Sequence, residues 1–303
     1  MKTVQIFQRS RLNDQFSSLR IDFELYECDV DKALEEAKPA IMILDQYFNE
    51  LNELDGSNVI IYGSWARGTS VYGISDLNIA YELPQKTTER LTNLQFGGPI
   101  GIINIVNNLL SRKFQNVTSN LAEGTIAAKF SVNLMVSLRP CLRFPEIGLT
   151  YANGQRGGTW RSFDPQLCVD PFQKLDPVVR DNLIRICRAA RLWKKYFSAP
   201  ISGILIDVLA FEFIQKSPYR AKSIRYFDCL LRDFFHFLAN VDREQDIWRV
   251  KFSNETIRRI GHFEDYALQA YLISQQAIDC FAAKQERASI SLWNRILGPD
   301  YNE

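Results

Sequence analysis

Ser75-Asp76-Leu77-Asn78 sets an aspartate and an asparagine two residues apart in a stretch with strand chemistry. Alternation puts both side chains on one face and gives the opposite face to Leu77, Ile79 and Tyr81. A second run, Thr125 to Leu138, alternates along its length, with Ala128, Phe130 and Val136 on one side and Lys129, Ser131 and Asn133 on the other. If the two strands are neighbours, Asp76, Asn78 and Asn133 converge on one patch. Three carboxylates so placed would hold two divalent cations that stabilise the attacking and leaving oxygens of a phosphoryl transfer. Here only Asp76 carries charge, and an amide oxygen is a weaker ligand for a hard cation. Upstream, Gly63 breaks an apolar run and Ser64 can cap a short helix, whose free N–H groups suit phosphate.

The elements that must position these residues can be read from periodicity. Residues 31–54 have helical spacing, with a kink or restart expected at Pro39. Residues 59–62 and 74–81 read as strands, and 101–113 as an amphipathic helix. The Gly-rich stretch Asn153-Gly154-Gln155-Arg156-Gly157-Gly158, continuing to Pro165, reads as the domain junction. Beyond it, residues 176–197, 202–215, 219–240 and 254–283 read as helices. The expected fold class is therefore α+β, with a mixed first half at 1–165 and a helical second half at 166–303.

The ordered pieces resemble the nucleotidyltransferase superfamily with a polymerase-β-like core. More narrowly, they look like the branch holding oligoadenylate synthases, cyclic GMP–AMP synthase and the bacterial cyclic-oligonucleotide synthases. Gly63-Ser64, Gly68-Thr69 and Ser75-Asp76 match that family's pattern as they stand, while Asn78 and Asn133 fall at its second and third metal-binding aspartates. In the helical half, Arg191-Leu192-Trp193 resembles the family's donor-phosphate Lys two residues before a Trp. Ser202 matches a phosphate-holding Ser, although Gly203 replaces the base-stacking Tyr beside it. The resemblance implies a core plus a C-terminal helical domain walling an NTP cleft, with Asp76, Asn78 and Asn133 at the metal and catalytic positions. Gly63, Ser64, Arg191 and Ser202 would hold the triphosphate. It further implies Mg²⁺ or Mn²⁺, NTP substrates, and a cyclic dinucleotide or trinucleotide messenger made in antiphage signalling and acting on a separate effector. Isosteric amides at both positions point to a deliberate Asp-to-Asn pair that disarms the enzyme, with a natural inactive homologue as the alternative. A nucleotidyltransferase that modifies an RNA, a protein or a small acceptor is a further reading.

Single residues also have plainer readings. Ser202 can be a mere helix cap. Arg191 alone would be a snorkelling surface residue, and Arg67 an exposed one. Lys129 is as readily a solvated strand lysine as a phosphate contact, and Trp160 and Trp193 read as core.

Bulk properties narrow the partners. Among 303 residues, 36 Lys+Arg nearly cancel 35 Asp+Glu, so no net field draws the chain to long nucleic acid or to a membrane. Small NTPs fit that balance better than an RNA primer. Six scattered cysteines without a C-x-x-C pair argue against a zinc ribbon and a disulfide framework, and imply buried thiols in a reducing cytoplasm. The two histidines, His236 and His262, both fall in the helical half, and no G-x-S-x-G elbow suggests a hydrolase.

Overall fold

The computed structural model describes residues 30–48, 58–84, 98–130, 134–250 and 256–298. The chain divides into two compact units. One comprises Cys28–Ala66 and Ser75–Val169, and the other includes Arg67–Ile74 and Asp170–Glu303. The boundary thus falls between residues 169 and 170, slightly beyond the expected junction, and a short piece of the first half belongs to the helical unit.

The first unit is built on a mixed sheet. Its elements are helix α1 (Val30–Phe48), strand β1 (Val59–Tyr62), the short helix α2 (Ser64–Arg67), strand β2 (Leu77–Glu82) and helix α3 (Gly98–Ser111). Strands β3 (Thr118–Asn120), β4 (Thr125–Lys129), β5 (Met135–Phe144), β6 (Gly148–Asn153) and β7 (Thr159–Ser162) follow. Helix α1 runs through Pro39 as one element rather than restarting there. The sheet order is β1-β2-β5-β4-β3, and the far half of β5 pairs with β6, which pairs with β7. Long β5 is the spine: it runs parallel to β2 along one edge, and antiparallel to β4 and then β6 along the other.

Two expectations change. The run 125–138 is not one strand but the two arms of a hairpin, with Ala128 opposite Val136 and Phe130 N–H donating to Leu134 O. The reversal keeps both arms' apolar residues on the same side, so the alternation continues across the turn and hides it. The Gly-rich stretch is not a linker: Tyr151 pairs with Arg161 and Asn153 with Thr159, making it the β6–β7 hairpin. Gly157 and Gly158 both take positive φ there, which a glycine adopts without steric cost.

The sheet has two unlike faces. Leu77, Ile79, Tyr81, Val136 and Leu138 are buried on one, where Tyr81 Oη donates to Asp45 of α1 at 2.5 Å and α3 packs across β3 to β6. The other face carries Ile60, Tyr62, Asn78, Ala80, Ser137, Arg139 and Cys141. Part of it is covered by a satellite cluster in which Ala80, Cys141, Leu149, Tyr151 and Phe163 pack with Ile60 and Tyr62.

The second unit is mainly helical: α4 (Asp170–Leu175), α5 (Asn182–Phe197), α6 (Gly203–Lys216), α7 (Phe227–Ala239), α8 (Glu264–Ala282) and α9 (Glu286–Leu297). Between α7 and α8, strands β8 (Ile247–Arg249) and β9 (Thr256–Arg258) pair as a small hairpin, and β9 lies where the sequence suggested that a helix had begun. The stretch expected as one helix from 176 is interrupted because Arg180 and Asp181 take left-handed φ values. Its core is aromatic: Trp193 of α5 lies 5.5 Å from Phe235, and Phe213 of α6 lies 5.2 Å from Phe234. Cys141, Cys187 and Cys229 are buried and not in disulfides.

Candidate nucleotide site

On the sheet face, Gly63 makes the turn between β1 and α2 with φ +73°. A Cβ there would stand 2.8 Å from Asn78 Nδ2, so the glycine lets the backbone approach the Asn78 side chain. Ser64 opens α2 and is buried, and Trp65 beside it donates from its indole to Ser75 O at 3.3 Å, tying this turn to the loop before β2. Asp76 lies exposed at the entrance to β2, and the half-buried Asn78 donates weakly to its carbonyl at 3.4 Å. Asn133 lies outside the described residues. The register instead sets Ser137 of β5 directly beside Asn78, and Arg139 beside Ala80.

Neither Ser137 nor Arg139 is singled out in the sequence reading: Ser137 falls inside the single strand expected over 125–138, and Arg139 lies one residue beyond its end. The signal was present: an arginine inside the apolar run Val136-Ser137-Leu138-Arg139-Pro140-Cys141-Leu142 calls for a partner. Arg139 is 9% exposed, and its guanidinium carbon lies 4.3 Å from the Tyr151 ring centroid and 5.0 Å from those of Tyr62 and Phe163. Its Nε has no hydrogen-bond partner among the described residues. Burial pushes the neighbouring Cys141 thiol up to about 12 even though the Arg139 charge pulls it down. Glu82, further along the face, is engaged by Arg143 through two 2.6 Å hydrogen bonds.

These residues do not fit a pair of divalent cations. Where two carboxylates and a third from the next strand would be needed, the described face offers the Asp76 carboxylate, the Asn78 amide and the Ser137 hydroxyl, with a guanidinium one residue pair further on. Among the described residues no group of three His, Cys, Asp or Glu side chains is placed to hold a metal ion.

The helical unit holds the other predicted residues, in a different state from that expected. Arg191 is buried, not on the surface: Nη1 and Nη2 donate to Asp207 at 2.6 and 2.9 Å, and also to Cys187 O and Gly203 O. Four of its five N–H donors are thereby used, leaving Nε–H outside these bonds. Arg67, expected to be exposed, is 5% exposed and donates to the same carboxylate from Nε and Nη2, while Thr69 Oγ1 donates to it at 2.9 Å. Arg188 binds Gly68 O at 2.8 Å, so α5 and α6 grip the whole Arg67-Gly68-Thr69 turn. Burial alone would raise the Asp207 pKa, but Arg191 and then Arg67 outweigh it and hold the carboxyl below its ordinary range. Ser202 is the N-cap of α6, its Oγ accepting from Leu205 N–H at 3.2 Å.

A mixed sheet entered through a Gly-Ser turn, with helices following in the chain, is the polymerase-β-like nucleotidyltransferase fold, and solved structures share it. Residues 11–175 match the Second Messenger Oligonucleotide or Dinucleotide Synthetase domain. That is more than half of the chain, and the chain belongs to this family of nucleotidyltransferases. Vibrio cholerae DncV cyclic AMP-GMP synthase, solved with the linear intermediate pppA(3′,5′)pG, is similar at 13% identity and TM-score 0.60, over 99% of this chain and 90% of that one. E. coli CdnC with ATP gives 16% identity and TM-score 0.56 over 90% and 93%. The CdnE c-di-GMP synthase of Capnocytophaga granulosa gives 15% and 0.52 over 92% and 93%. At such identities the likeness is one of fold. No curated protein matches the sequence.

Proposed function

We propose that this chain binds nucleoside triphosphates on the sheet face around Gly63, Ser64 and Asn78, and that as it stands it joins them slowly or not at all. The observation that carries this reading is the register of β2 and β5. It puts a hydroxyl, not a carboxylate, beside Asn78, so the neighbouring strand adds no charge there to help hold a second divalent cation. The synthase activity from which the chain derives is assembly of a cyclic dinucleotide or trinucleotide with release of pyrophosphate, in cytoplasmic antiphage signalling through a separate effector. Membership of the synthetase family, relatives solved with ATP and with a linear dinucleotide, and the near-neutral charge all support small NTPs as ligands. No described helix is long and apolar enough to cross a membrane.

The loss of the carboxylates reads as natural. An engineer chooses the isosteric amide, as at Asn78, whereas Ser137 is neither the shape nor the charge of an aspartate. The geometry around these residues supports the binding part of the task. Gly63 keeps the turn close to the strand, and the α2 N–H groups beginning at Ser64 can receive phosphate oxygens. Calorimetric titration with each of the four NTPs tests the reading. Binding of at least one is expected, with pyrophosphate formation far below that of an active synthase; no binding to any of them refutes it.

A further inference from the structure

We infer that Arg139 is a phosphate-binding residue of this face, supplying the positive charge that divalent cations supply in a two-metal site. The inference rests on the nucleotide-binding reading above. Its observations are local to the sheet unit. Arg139 is nine-tenths buried, yet no carboxylate among the described residues pairs with it, and Glu82, the acidic group further along the same face, is taken by Arg143. Three aromatic rings surround the guanidinium instead, at 4.3 to 5.0 Å. Rings stabilise a cation through their faces, but they accept none of its N–H hydrogen bonds in the ordinary sense, and Nε is left orphaned in the interior. A buried guanidinium whose Nε–H lacks an acceptor is matched by an anion that arrives with the ligand, and a phosphoryl group fits its fork.

The position selects which anion. Tyr62, one wall of the cage, is the register neighbour of Asn78, and Arg139 follows Ser137 by two residues on the same face of β5. Ala80, between them, has only a methyl group, which leaves room for the arginine over β2. On the backbone Arg139 is therefore two residues along β5 from Ser137, about 7 Å, and the diagonal neighbour of Asn78 across the β2–β5 pair. Asn78 and Ser137 add neutral hydrogen-bonding groups suited to phosphoryl oxygens, whereas a divalent cation would meet one exposed carboxylate and a guanidinium nearby.

The consequence is that nucleotide binding by this chain does not need a divalent metal. Calorimetry of the full chain with ATP, GTP, CTP and UTP is to be run in Mg²⁺ and again in EDTA. At least one NTP should bind with Kd values agreeing within about threefold between the two buffers. Arg139→Met should weaken the EDTA affinity by about tenfold or more, with Arg139→Lys in between because it keeps charge but loses the fork. Circular dichroism and melting establish that each variant is folded. If Arg139→Met does not fold, the unmodified chain in the two buffers and Arg139→Lys still decide. Binding that disappears in EDTA overturns the inference and leaves the nucleotide reading standing. A folded Arg139→Met that binds as tightly as the unmodified chain also overturns it, making the cage a packing device. Absence of NTP binding in both buffers sinks the nucleotide reading and this inference together.

Discussion

Replacing Asp207 by alanine should unfold the helical unit far more readily than any surface change. The carboxylate is fully buried and receives five hydrogen bonds: two from Arg67, two from Arg191 and one from Thr69. Its removal leaves two guanidiniums, themselves 4% and 5% exposed, without their counter-charge in the interior. Breaking a buried ion pair from one side costs about 3–5 kcal/mol, because the surviving charge is stranded; with two arginines stranded, the upper end applies. For a unit of this size the loss corresponds to a melting shift on the order of 10 °C. Urea unfolding monitored by tryptophan fluorescence reports it, since Trp193 lies in the core of the same unit. Arg191→Ala should cost a similar amount by stranding Asp207 between fewer partners, and the double variant should cost clearly less than the sum of the two. A loss below about 1 kcal/mol for Asp207→Ala, or strict additivity, would refute the claim that this cluster fixes the Gly68-Thr69 turn to α5 and α6.

Three further outcomes follow from named contacts. Gly63→Ala should destabilise the sheet unit by about 1–2 kcal/mol in urea titration, because φ is +73° and the new Cβ would meet Asn78. Gly203→Ala should be neutral or slightly stabilising, within about 1 kcal/mol in the same assay, since its Cβ would meet Arg191 only at an ordinary 3.5 Å and the position is helical. Asp207 has a folded pKa below its unfolded value, so its contribution is present above the usual carboxylate range and is lost as pH falls through the lowered folded value. Asp176, raised mainly by burial, works in the opposite sense, contributing stability at low pH that is lost as pH rises through its folded value. Unfolding curves carried from neutral pH down to about pH 2 should therefore show an acid-side decline that flattens in Asp207→Asn.

Much of the frame was legible because it depends on local chemistry. The strand at 59–62 has its expected bounds, and β2 and α3 differ from theirs only near the ends. Leu77, Ile79 and Tyr81 share the buried face of β2 and half-buried Asn78 takes the other, as period-two reasoning required. What failed was non-local. The 130–134 reversal carries no glycine or proline and preserves the alternation, so the spacing gave no sign that Ser137, not a residue before the turn, would stand beside Asn78. Arg191 looked like a solvent-facing or phosphate-facing cation because its partner, Asp207, lies sixteen residues away on the next helix. Arg67 is further still, 140 residues from the carboxylate it shares. The Gly-rich stretch at 153–158 read as a linker because hairpin turns and linkers draw on the same residues, and only pairing across β6 and β7 separates them.

The central claim is that the missing charges at positions 78 and 137 are what keep this chain from joining nucleotides. The direct test incubates three proteins, and the two single variants Asn78→Asp and Ser137→Asp as controls, with all four NTPs and Mg²⁺ and analyses products and pyrophosphate by mass spectrometry and a coupled assay. The three are the unmodified chain, Asn78→Asp with Ser137→Asp, and Asn78→Asp with Asn133→Asp. The account predicts little or no product from the first, oligonucleotide product from the second well above either of its single changes, and less from the third. Robust turnover by the unmodified chain would contradict it, as would a silent Asn78→Asp, Ser137→Asp protein that still folds and binds NTP.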